Sequence, residues 1–300
     1  MKTAALLVGR VIVLTIVLFI CISLAAGVVG QRPASSAPEP SGSAALALVI
    51  VCVLDTIVLT HFILRSRWTG WRLAATVFFV FYGVSTFMAQ IESAVFITRL
   101  PAGMLPRLFL MGALFAAPFS ALAVLILGKR KAADLDVGEN SRLVMPRSEW
   151  VWKLAVIAVV YVILYFTFGY FIAWRNPAVR EYYGGTDPGG FLTQMGTVVR
   201  DTPWLIPFQI LRAMFWTLLA LPVVRSLTGP WQETAQSIGF LFAVLMSALL
   251  LLPNPYMPES VRMSHLVETA SSNFIFGMFV GWLLTGPHAS AKAAMVRDMA

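Results

Sequence analysis

Charge is what this sequence has least of. Only 12% of its 300 residues are Asp, Glu, Lys or Arg, about half the ~25% usual for a soluble domain. With 59% hydrophobic residues and a mean hydropathy of +0.81, too little polar surface exists to face water on all sides. An ordinary soluble fold is excluded, and the main solvent must be lipid. Cysteine is nearly absent too. Cys21 and Cys52 each sit mid-way along an apolar run and read as small buried apolar residues. No Cys/His metal spacing exists, and a Cys21–Cys52 disulfide does not follow from the sequence. With three histidines, there is no His-Glu-x-x-His. There is also no Gly-x-Ser-x-Gly and no serine with a matched His and Asp. The net charge is +8, yet no solvated basic face or motif accompanies it, which argues against a nucleic-acid partner. In a membrane protein the basic excess belongs to cytoplasmic loops.

What is present is a series of long apolar runs. A hydrocarbon core of roughly 30 Å needs about 20 residues of helix. Eight segments approximate this: 7–29, 44–64, 72–97, 106–127, 150–173, 204–224, 232–252 and 262–285. The expected fold is an all-α integral membrane protein, a single helical bundle over 1–300 with about eight spans. Lys and Arg fall unevenly on alternate sides. Fourteen, among them Lys2, Arg65, Arg130 and Lys153, share one side, seven take the other, and Arg212 falls within the sixth span. This bias places both termini in the cytoplasm and the protein in the cell membrane. Lys2, the first apolar stretch and Ala25–Ala26–Gly27 resemble a signal peptide. The length of the run favours a retained helix.

The loops differ in character. Residues 31–43 are rich in Pro, Ser and Ala and read as a flexible outer linker. Residues 129–147 are the most charged. Lys129, Arg130 and Lys131 suit anionic lipid headgroups, with membrane lipids the general partner, and the loop has no phosphate-cradling glycine pattern. The outer loop 174–203 has Tyr182, Tyr183, Gly184 and Gly185 as an aromatic-rimmed turn. Its Phe191, Leu192, Met195, Val198 and Val199 form one face of a short amphipathic helix, expected at the interface or over the bundle. Asp201 or Thr202 is expected to cap the sixth span, with Pro203 near its first turn.

A charged side chain inside a span costs roughly 2.5–3.5 kcal/mol on insertion scales, so the few that occur are informative. The eighth span has an apolar stretch, Phe274 to Leu284, of only 11 residues. It reaches spanning length only by including polar positions from His265 to Asn273. His265, Glu268 and Ser272 share one helix face, and Pro258 fits a first turn above the membrane. In the third span Thr86, Gln90 and Ser93 form one stripe, with Ser85 and Glu92 beside it. The sixth span places Gln209 and Arg212 three residues apart. Arg212 stays protonated and needs a carboxylate or a polar cavity, with Glu92 and Glu268 the candidates. Gln90, Glu92, Gln209, Arg212, His265 and Glu268 are expected to converge on the extracytoplasmic half. Asp55, mid-way along the second span, either joins them or stands alone as a protonated acid. His61 belongs at the interface, and Glu233 and Gln236 in solvent. Ile91-Glu92-Ser93-Ala94 echoes Val267-Glu268-Thr269-Ala270, which is either a fragment of an inverted repeat or a chance match of four residues.

Three function classes fit these residues. The polar groups can glue helices in a structural or accessory subunit. They can bind an ion, proton or small solute in a transporter, since His titrates near neutral pH. The alternative is an intramembrane hydrolase or transferase acting on a lipid-like substrate. It would use Glu268, His265 and Glu92 as metal ligands, or Glu268 with His265 as an acid–base pair. The cofactor is unknown.

Overall fold

The computed structural model describes residues 2–30, 42–97, 100–130 and 140–286. The 31–41 linker segment, Lys131 and His288 lie outside the described residues. Eight helices are long and apolar enough to cross a membrane. They are α1 (Ala4–Val29), α2 (Ser43–Arg65), α3 (Gly70–Phe96), α4 (Met104–Ile126), α5 (Arg147–Ala173), α8 (Leu205–Ser226), α9 (Trp231–Leu251) and α10 (Glu259–Thr285). Between α5 and α8 lie two short helices, α6 (Pro177–Tyr182) and α7 (Phe191–Asp201). Among the described residues every regular element is helical. The chain is thus a polytopic helical membrane protein. Helix is the only open-ended way to satisfy backbone hydrogen bonds where lipid offers none.

Two spans depart from α geometry. Gly83–Met88 within α3 and Gly169–Ala173 at the end of α5 are π-helical. The first rotates the residues after it relative to those before it. The stripe of Thr86, Gln90 and Ser93 is drawn on an uninterrupted α-helix, and the π turn ends between its first two members. Thr86 is buried against Gly112 of α4, where a β-carbon would lie 2.2 Å from its hydroxyl. Gln90 is half-buried beyond the π turn.

The helices group into two compact units. The first is Met1–Asn140 with Arg225–Gly229 and Val244–Tyr256, and the second Ser141–Val224 with Pro230–Ala243 and Met257–Ala300. In the first unit Phe81 of α3 meets Phe115 and Phe119 of α4 edge to face, at 5.5 and 5.6 Å. One end is tied by backbone bonds from Arg67 to Ser226 and from Gly70 to Lys129. Gly70 has φ +57° and sits 3.1 Å from the Arg130 carbonyl at its missing β-carbon, so only glycine suits the position. The Lys129 ammonium turns back to the Ser66 carbonyl, while Arg130 is exposed.

In the second unit an aromatic core joins four helices. Trp216 of α8 packs on Phe242 of α9 at 4.4 Å, and Tyr161 of α5 on Phe276 of α10 at 4.8 Å. The Trp216 indole N–H donates to the Tyr161 hydroxyl at 3.1 Å. Gly277 and Gly281 of α10 lie directly on the α9 backbone at Gly239 and Ala235. This is the close small-residue packing that brings membrane helices together.

Several local expectations are corrected. Asp201 ends α7, and the Thr202 hydroxyl donates back to Val198, so neither caps α8, which starts at Leu205. Pro258 is the N-cap of α10 and precedes its first turn. Lys153, counted among the loop cations, is fully buried in α5 with Glu149 at 2.9 Å. Glu233 is half-buried beside Arg142, whose guanidinium donates to Thr234. Burial lowers the pKa of Arg142, and the charge of Glu233 opposes that shift.

Candidate functional site

The polar half of α10 is held by the segment that leaves α5. Asn176 caps α6 by accepting from the Ala178 N–H at 3.0 Å, with Pro177 in the first turn. Such an Asn-Pro pair is a strong helix start, since the cap satisfies an orphan donor and proline has none to lose. The Asn176 amide also donates to the Ser264 hydroxyl at 2.7 Å and the Ser260 carbonyl at 3.2 Å. One side chain therefore starts α6 and docks it on α10. Ala173, Val179 and Val261 form a small apolar core beneath, with Trp174, Tyr182 and Tyr183 packed around it.

This docking places Tyr183 over His265. The Tyr183 hydroxyl is 3.2 Å from His265 Nε2, and His265 Nδ1 is 2.7 Å from Glu268 Oε2. Trp174 stacks on Tyr183 with ring centroids 6.4 Å apart. The other Glu268 oxygen faces Gly169 at the π turn, where a β-carbon would lie 3.4 Å away. Side-chain exposures of 20% for His265 and 14% for Glu268 leave the pair shielded but reachable. π turns concentrate at functional sites, and this one brings a backbone without a side chain against the carboxylate.

The three groups form one hydrogen-bonded chain that suits two proton counts. With a neutral imidazole, Nδ1–H donates to the carboxylate and Nε2 accepts from the tyrosine. With an imidazolium, both nitrogens donate. A proton can thus be added to the imidazole with both ring nitrogens still hydrogen-bonded, which suits a relay or an acid–base centre.

The remaining candidates are distributed over both units. Gln209 and Arg212 lie one turn apart in α8 and are bonded, Arg212 Nη1 donating to Gln209 Oε1 at 3.0 Å. The guanidinium lies over the rings of Tyr161 and Phe208 at 5.7 and 5.9 Å, an arrangement that replaces part of its hydration. Asn273 is buried two turns below His265, and the Ser272 hydroxyl donates to the Thr269 carbonyl. Gln90, Glu92 and Asp55 belong to the first unit. Glu92 is half-buried, whereas Asp55 is only 2% exposed and its Oδ1 has no hydrogen-bond partner among the described residues. His61 is exposed. Among the described residues no three His, Cys, Asp or Glu side chains gather as a metal-binding group.

Sequence reasoning found His265 and Glu268 but missed Tyr183 as their partner. It also missed Asn176, although the Asn-Pro signal for a helix start was present. It read Tyr182 to Gly185 as a turn, whereas Tyr182 closes α6 and Gly184, at φ +71°, makes the turn after it. No protein-family profile, curated protein or solved structure matches this chain.

Proposed function

We propose that the protein is a transporter-type membrane protein whose Tyr183–His265–Glu268 chain binds and releases a proton as an ion or small solute moves. The hydrogen-bonded chain itself carries this reading. A histidine between an acid and a hydroxyl, shielded on a polar helix face within an apolar chain, is what a proton relay in a membrane needs. In the orientation proposed from the Lys and Arg bias, both termini are cytoplasmic and this site faces the extracytoplasmic side of the cell membrane. Helix α7 then lies at the outer interface, and Arg130 with Lys131 contacts anionic lipid at the inner one. Gln209 and Arg212 serve as helix glue or line the solute path.

A second reading is an acid–base enzyme acting on a lipid-like substrate. It draws on the tyrosine hydroxyl, which an imidazole–carboxylate pair can activate.

The test is proton traffic. The purified protein is reconstituted into vesicles holding a pH-sensitive dye, and a pH gradient is imposed. Wild type is expected to admit protons faster than Glu268→Gln or His265→Gln. Infrared difference spectra on a pH step should show imidazole and carboxyl bands that both substitutions remove. Equal proton entry in all three proteins, with unchanged spectra, overturns the proposal.

A further inference from the structure

The segment that bears Tyr183 also forms a cleft, which Trp174 lines while stacking on Tyr183. Tyr170, Trp174, Arg175, Arg180, Asp187 and Gly189 line a space of about 270 Å³ within the second unit. Its walls are fixed by the chain itself. The Tyr170 hydroxyl donates to the Gly189 carbonyl, and Arg180 Nη1 donates to the Trp174 carbonyl at 3.2 Å. The Gly189 N–H donates to Asp187 at 2.9 Å.

The charges in this cleft are unequal. Arg180 has a partner, Asp187, at 3.4 Å, but that carboxylate is 74% exposed and loosely held. Arg175 is exposed, and no side-chain hydrogen bond or ion pair is seen for it among the described residues. Two arginines and one acid thus line the hollow beside an indole and a phenol, which leaves it net positive. Guanidinium forks match the paired oxygens of a phosphate.

Apolar surface adjoins the hollow. Phe171 is 56% exposed and stacks on Phe191, the first residue of α7, at 5.6 Å. Leu192 next to it is 82% exposed. A cationic hollow beside bare apolar side chains fits a molecule with a phosphate at one end and hydrocarbon at the other.

We infer that this cleft binds a phosphate-bearing anion through Arg175 and Arg180, with Asp187 as the group the anion displaces. The ligand class is a phosphate ester, supplied by an anionic lipid headgroup or by a soluble phosphate. The inference does not rest on proton binding at His265.

Native mass spectrometry of the whole protein with equimolar phosphatidylglycerol and phosphatidylcholine tests the lipid source. Calorimetric titration with inorganic phosphate tests the soluble one. Preferential retention of phosphatidylglycerol supports the site with lipid as ligand. A phosphate response with equal lipid retention supports it with a soluble ligand. In either case Arg175→Ala is expected to weaken the response about tenfold, the scale of one charge-assisted bond. Asp187→Asn is expected to strengthen it by freeing Arg180. Arg175→Gln, with an unchanged elution profile, stands in if the alanine variant fails to fold. No phosphate response with equal lipid retention overturns the inference, as does an Arg175 variant that behaves as wild type.

Discussion

Gly277 and Gly281 decide how closely α9 and α10 approach. A β-carbon on Gly281 would lie 2.4 Å from Ala235 Cα, and one on Gly277 would lie 2.7 Å from Gly239 Cα. Ordinary contact begins at 3.4 Å, so Gly281→Ala is about 1 Å too large, a gap that matters on a steep repulsive wall. The obstacle is the α9 backbone, which has no rotamer to change. The helices must separate, and neighbouring pairs along the seam then lose a quarter to a half of their dispersion energy. Gly281→Ala is expected to destabilise the protein by about 1–3 kcal/mol. Gly196 in α7 provides the control, because its added β-carbon meets nothing within 4 Å. Gly196→Ala is expected to stabilise by about 0.5–1 kcal/mol, the usual helix gain. Both variants make the same chemical change, so intrinsic propensity cancels in the comparison. Reversible unfolding in mixed micelles measures the difference. If Gly281→Ala proves as stable as Gly196→Ala, the close packing of α9 on α10 is wrong.

Lys153→Met should cost about 3–5 kcal/mol, because it strands Glu149 as a buried charge, while Glu149→Leu with Lys153→Met should be near neutral. Thermal unfolding of the single and double variants checks this, and equal losses would contradict a buried pair. The proposed orientation predicts that Asp187→Cys in intact cells reacts with an impermeant maleimide and Arg130→Cys does not. The reverse pattern inverts the topology. Burial lowers the pKa of the Lys129 ammonium. The folded chain therefore binds that proton less tightly than the unfolded chain, and stability should rise with pH on approaching the ordinary lysine range. Lys129→Met should lose this component of the slope in alkaline unfolding titrations, and an unchanged slope would refute the assignment.

The span boundaries were legible because they depend on local composition. Lipid demands about 20 apolar residues per crossing, and Pro, Gly and charge punctuate the runs. All eight helices lie close to the segments read from the sequence. The irregular parts were not legible. Nothing in Gly83–Met88 separates a π turn from an α turn, since both use the same residues. Within the turn Thr86 packs against Gly112, a tertiary contact that the sequence does not announce. The α9–α10 seam is an intermediate case. Gly277-x-x-x-Gly281 in an apolar run is a known packing signal, but the sequence does not reveal that Ala235 and Gly239 oppose it.

The same division runs through the site. His265 and Glu268 were found together because three residues of helix fix them on one face whatever the tertiary fold. Arg212 and Gln209 were found for the same reason, and their direct bond satisfies part of the demand that had been assigned to a distant carboxylate. Tyr183 required more. It is 82 residues from His265, and it arrives only because Asn176 caps α6 and clamps it to Ser260 and Ser264. The helix start was written in Asn176-Pro177, but its docking partner was not. The hydrogen-bonded chain is thus divided between a local pair and a partner brought in by tertiary packing. The imidazole–carboxylate pair belongs to a continuous span, while the hydroxyl belongs to the residue that caps the end of a six-residue helix, docked by the Asn176 amide and the small apolar core of Ala173, Val179 and Val261.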